Sequence, residues 1–174
     1  FIGSGIRYDL ILNDVKNGKE FLRDLINYHV SGQLKIAPEH TEKHVLDLMN
    51  KPESKRLLEF KDEFDKINRE SGKKQFLTYY FIASHPGCTR HDMQNMKKFI
   101  TTHLKTNPRQ VQIFTPTPST YSTLMYYTGI NPVTGNEIFV EKNPKEKETQ
   151  KNVIIEKNYS SKKRPVSHKN PRYK

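Results

Sequence analysis

Phe81-Ile82-Ala83-Ser84-His85-Pro86-Gly87-Cys88-Thr89 marks the point where an apolar and aromatic run over residues 76–83 breaks off into a polar turn. Ile, Tyr and Phe suit a buried strand, and Pro-Gly cannot continue it. Thr89 with Asp92 three residues on is a variant capping box. Met93, Met96, Ile100 and Leu104 then recur at helical spacing. The stretch therefore reads strand, polar turn, helix. In α/β proteins, loops leaving the C-terminal ends of parallel strands bind ligands.

Other strands are expected to end the same way. Phe1-Ile2 reads as a strand end, followed by the glycine loop Gly3-Ser4-Gly5-Ile6-Arg7. Asn17 caps a helix with Glu20 at its third position and Phe21, Leu22, Leu25 and Ile26 on its apolar face. Residues 32–37 form a short strand with Leu34 and Ile36 on one face, ending at Pro38-Glu39-His40-Thr41. Thr41 caps a helix carrying Val45, Leu48 and Met49. Pro52 suits the first turn of the next helix, whose core positions are Leu57, Phe60, Phe64 and Ile67, and Ser71-Gly72 closes it. Residues 111–115 are a further strand, leading through Thr115-Pro116-Thr117-Pro118-Ser119-Thr120 into a helical 121–127. Strands separated by helical crossovers imply a parallel sheet, with all four loops on one face.

The 174-residue chain has 33% hydrophobic residues and a mean hydropathy of −0.85. The polar excess is concentrated at the end. Residues 141–174 hold eleven Lys/Arg against four Asp/Glu, a net of +7 out of the chain's +11. This gives one α/β region over 1–140 and a basic tail over 141–174, disordered or loosely docked, with one docking or helical contact near Ile154. One cysteine excludes an internal disulfide and suits a cytoplasmic, reducing setting. No apolar run reaches the roughly 18 residues of a membrane span.

Several residues have the right chemistry for a site. His40 and His44 are four apart, but Glu is not directly after the first, as a zinc-protease helix needs. His85, Cys88 and His91 are spaced three apart around a turn, which allows a Cys–His nucleophilic pair, a partial metal site, or a structural or pocket-lining cysteine. Glu39 at a strand end can accept from ribose hydroxyls, act as a base or simply sit at a helix N-terminus. Arg7 can hold a carboxylate by two hydrogen bonds.

The segments Gly3-Ser4-Gly5-Ile6-Arg7-Tyr8-Asp9, Ser31-Gly32-Gln33-Leu34-Lys35-Ile36-Ala37-Pro38-Glu39-His40-Thr41 and Gly72-Lys73-Lys74-Gln75 resemble the uncharacterised radical S-adenosylmethionine (SAM) family typified by YgiQ. So do Ser84-His85-Pro86-Gly87-Cys88-Thr89, Phe114-Thr115-Pro116-Thr117-Pro118-Ser119-Thr120 and Met125-Tyr126-Tyr127-Thr128-Gly129. A wider resemblance is to radical SAM methylthiotransferases, where Cys88 stands in place of a Glu and Glu39 in place of a Gln.

The resemblance implies the C-terminal part of a partial (β/α)6 barrel. It implies SAM and a [4Fe-4S] cluster as cofactors, and reductive cleavage of SAM to a 5′-deoxyadenosyl radical that attacks an unknown substrate. SAM or substrate contacts would come from Ser4, Gly5, Arg7, Glu39, His40, His85, Pro86, Gly87, Thr115 and Thr117. The family's Cys-x3-Cys-x2-Cys cluster motif is absent, and one cysteine cannot hold a cluster. The expected partner is therefore the N-terminal half of the barrel, and the chain alone should be inactive. The competing expectation is a non-catalytic α/β module whose basic tail docks on RNA or another polyanion.

Overall fold

The computed structural model describes residues 1–108 and 110–155. Three parallel strands, β1 (Gln33–Glu39), β2 (Phe76–Ala83) and β3 (Gln110–Ile113), lie side by side in chain order. Ile6 adds a parallel bridge to Ile36 on the outer side of β1, and its N–H donates to the Lys35 carbonyl at 3.0 Å. The first expected strand is thus reduced to one bridge. It sits at Ile6, inside what reads as a glycine loop, and not at Phe1-Ile2. The sheet grows in one direction only, each segment beside its predecessor.

Among the described residues seven α-helices accompany it: α1 (Tyr8–Asn13), α2 (Gly18–Asp24), α3 (Lys43–Leu48), α4 (Ser54–Glu70), α5 (Arg90–Phe99), α6 (Tyr121–Thr128) and α7 (Pro144–Ile154). Single π-helical turns extend α2 through His29 and α5 through Leu104. The crossover α3–α4 joins β1 to β2, and α5 joins β2 to β3, as parallel neighbours require. The capping box at Thr89 and Asp92 is formed in both directions. Two other expected caps are not formed. Asp14, rather than Asn17, receives the backbone N–H groups of Lys16 and Asn17. Thr41 is buried with its hydroxyl unpartnered, and α3 begins after Glu42.

Burial alternates strictly along β1 and β2. Leu34, Ile36, Leu77, Tyr79, Phe81 and Ala83 point into one core with Tyr8, Leu22, Leu57, Phe60, Phe64, Ile67, Met93, Met96 and Ile154. That core unites residues of α1, α2, α3, α4, α5 and α7 with a single face of the sheet. The opposite face carries Lys35, Ala37, Thr78, Tyr80 and Ile82, all half-buried, and exposed Gln112. Polar groups on one face of a parallel sheet are unusual, because parallel sheets are ordinarily covered on both sides.

α7 begins inside the stretch whose composition reads as tail. It is a full helix, started by Asn143 accepting from the Lys145 N–H, with Pro144 in the first turn. It packs on α5 and on β2 and β3. Gln150 and Ile154 are buried, and Lys147 places its ammonium over the Tyr126 ring while donating to that residue's hydroxyl at 2.8 Å. The remaining tail, 156–174, and with it most of the basis for an RNA-docking reading, lies outside the described residues. Among the described residues no helix is long and apolar enough to cross a membrane.

Candidate functional site

The strand ends converge, but they form two structures. One is a buried polar knot; the other is an open cavity on the uncovered sheet face.

The knot begins at two strained residues. Glu39, the last residue of β1, has φ 66°, and Ser84, just after β2, has φ 59°. A non-glycine residue in the left-handed region costs energy and turns the chain sharply. The turn after Glu39 sends His40 inward, where it is 1% exposed. His40 Nδ1 accepts from the Glu42 N–H at 3.0 Å, so the neutral ring carries its proton on Nε2. That nitrogen faces Cys88 Sγ at 3.4 Å. The turn after Ser84 buries His85 as well. Its Nδ1 donates to the Pro86 carbonyl at 2.8 Å, leaving Nε2 to accept from the Ser122 hydroxyl of α6 at 2.8 Å. The ring meets Phe114 edge-on. Two buried histidines thus hold opposite tautomers, each fixed by its backbone partner.

Gln150 of α7 completes the knot. Its side-chain oxygen accepts from the Ser84 hydroxyl at 3.0 Å and lies 3.7 Å from Cys88 Sγ. Gly87 has φ 88°, and a Cβ there would run into Leu48 of α3, so only glycine lets the helix approach the turn.

Electrostatics argue against nucleophilic use of this knot. Burial pushes the Cys88 thiol up to about 12 and lowers His40 to about 3 and His85 to about 4. All three groups are neutral at pH 7, whereas a working Cys–His pair needs an accessible thiolate. The expected grouping of His85, Cys88 and His91 does not form. His85 turns to Ser122, His91 is exposed, and Cys88 meets His40 from 48 residues away. His44 is exposed and lies 3.3 Å from the Asp92 carboxylate.

The second structure is a cavity of about 850 Å³ on the uncovered face, lined by Gly5, Lys35, Ala37, Tyr80, Gln112, Thr115 and Lys151, among others. Tyr80 hydrogen-bonds Gln112 across β2 and β3. Of the residues singled out in the sequence, Gly5 and Thr115 reach this cavity. Ser4 and Thr117 are exposed, and the Thr117 backbone is tied to Thr123. The Arg7 fork is taken by Asp9 at 2.8 and 2.6 Å, so the carboxylate it binds is its own chain's. Glu39 pairs with Lys51 at 3.0 Å. His40, His85 and Pro86 belong to the knot. Gly87 lines another cavity, of about 990 Å³, between α3, α6 and residues 131–139. Lys35, Tyr80 and Gln112 were missed in the sequence. Their signal was the alternation of Leu34-Lys35-Ile36, which leaves every second residue facing away from the core.

A one-directional parallel sheet, with core helices on one face and a polar wall on the other, defines the class: a mixed α/β unit. Comparison with known proteins narrows this. The chain is 58% identical to a UPF0313 protein of Fusobacterium nucleatum over 157 residues, which is 90% of this chain and 28% of that protein. It is 46% identical to a UPF0313 protein of Methanosarcina acetivorans over 87% of the chain and 20% of the relative, and 44% identical to one of Thermotoga neapolitana over 90% and 28%. UPF0313 is the YgiQ-type family, so the strong homologues are of the kind the sequence motifs resemble. The chain spans about a quarter of the length of these curated relatives. Residues 109–161 also match a domain of unknown function, DUF3362. No solved structure matches.

Proposed function

We propose that the uncovered sheet face is the inner wall of a partial (β/α)6 barrel, and that this wall holds SAM and substrate in a cytoplasmic radical SAM enzyme. The observation that carries the reading is the strict two-faced burial of β1 and β2, with residues of α1, α2, α3, α4, α5 and α7 packed on one face. A one-directional strand order with helices on one face is how a barrel is wound, whereas doubly wound sheets place helices on both.

The residues present do not fit an iron–sulfur cluster. Among the described residues no three His, Cys, Asp or Glu side chains converge as metal ligands, and the one thiol is buried and neutral. No step is therefore assigned to a cluster on this chain. They do fit one side of a SAM site. The uncovered cavity lies within the roughly 300–1,000 Å³ of small-molecule sites, and offers a glycine approach at Gly5, a hydroxyl at Thr115 and the Tyr80–Gln112 pair. Bound there, SAM would supply an adenosyl carbon whose bond to sulfur can be cleaved by one electron. The role of this chain is to orient the ligand against β1–β3 and to keep water from one side of it.

The test is anaerobic reconstitution of the Fusobacterium nucleatum relative with iron and sulfide, followed by addition of reductant and SAM. Release of 5′-deoxyadenosine is expected. Cluster-loaded protein that binds SAM but releases none would overturn the reading.

A further inference from the structure

The lining of the uncovered cavity is chemically one-sided. Among the described residues it contains two lysines, Lys35 from the middle of β1 and Lys151 from α7, and no Asp or Glu. Lys35 is half-buried and forms no ion pair among the described residues, with its stem beside Gly5. Lys151 reaches Glu148 on its own helix only at 3.8 Å. Burial, and then the charge of Glu39 at the end of β1, push the Tyr80 hydroxyl up, and Glu39 is itself held by Lys51 at 3.0 Å. Tyr80 of β2 and Gln112 of β3, hydrogen-bonded to each other, line the same cavity as the lysines.

Two ammonium groups around one cavity repel each other, and covering them without a counter-charge is costly. A lysine built into the centre of a strand, on the face that would be enclosed, therefore calls for an anion. We propose that this cavity takes a ligand bearing an anionic oxygen group, a carboxylate or a phosphate, held between Lys35 and Lys151 with Tyr80 and Gln112 donating or accepting at its flank. This deepens the proposed function and rests on it in one respect: the uncovered face must be a ligand wall. It names the substrate's charge. The sulfonium of SAM is positive, so the lysine pair is suited to a second, acidic molecule or to a carboxylate end, and not to the adenosyl sulfur.

The test uses the full 174-residue chain. Lysines are acetylated under limiting reagent, alone or with millimolar pyrophosphate or citrate, and each site is quantified by mass spectrometry. Lys35 and Lys151 should be protected together, while exposed Lys55 on α4 reacts as before. Protection by pyrophosphate but not citrate assigns a phosphate ligand, and the reverse a carboxylate. Lys35→Gln should raise the probe concentration needed to protect Lys151 by about tenfold, and Lys55→Gln should not. Unchanged acetylation of Lys35 with both probes, or equal protection of Lys55, would overturn the proposal. This readout needs no SAM chemistry. Loss of lysine protection with 5′-deoxyadenosine still released by the relative would therefore reject the anion alone.

Discussion

The two faces of the same three strands have opposite compositions. One buries Leu34, Ile36, Leu77, Tyr79, Phe81 and Ala83 against helices; the other shows Lys35, Thr78, Tyr80 and Gln112 to solvent. The covered face sets stability. The uncovered face carries the residues of the proposed ligand wall. The two-residue period of the strand separates the two sets.

Substitutions should expose that separation. Phe60 is fully buried, stacked near Phe64 and against Tyr8. Phe60→Ala should cost about 3–5 kcal/mol in urea unfolding, whereas Tyr80→Ala should cost about 1 kcal/mol or less. Equal losses would break the comparison.

Acid should act on the knot next. His40 and His85 are lowered to about 3 and about 4 by burial, so the unfolded chain binds their protons first. Stability is then complete above the unfolded value near 6.5 and falls as pH drops toward 4, by up to about 1.4 kcal/mol per pH unit for each histidine. His40→Gln should remove close to half of that slope between pH 6.5 and 4, read by urea melts at several pH values. An unchanged slope would mean His40 is not buried neutral.

Gln150 joins α7 to the loop after β2, at Ser84 and Cys88. Gln150→Ala should cost about 1–3 kcal/mol, by leaving buried polar groups unpaired, and should speed labelling of Cys88, the chain's single thiol. No acceleration would show that α7 does not hold the knot closed. A smaller effect than that of Gln150 is expected at the α5 cap: Thr89→Ala removes the hydroxyl that accepts from the Asp92 N–H and donates to its carboxylate, and should cost about 1 kcal/mol.

Much of the scaffold was legible in the sequence. The spacing of Leu57, Phe60, Phe64 and Ile67 gives α4, and the break at Ser84-His85-Pro86-Gly87 gives the end of β2. The site was legible only in part. His40 and Cys88 are 48 residues apart, and no local pattern links them. α7 hid because its docking uses Gln150 and Lys147, polar residues that periodicity assigns to solvent. Arg7 reads as free for a ligand because only the fold brings its fork onto Asp9, two residues on. Lys35 was visible as an alternating residue, but the wall it builds with Tyr80 and Gln112 needs three strands in register.

The most direct test is an experimental structure of the 58% identical Fusobacterium nucleatum protein. The expected result is a further parallel strand beyond the Ile6 position, curling so that the Lys35, Tyr80 and Gln112 face looks into an enclosed cavity. Helices packed flat on that face, making a doubly wound sheet, would contradict the inner-wall reading.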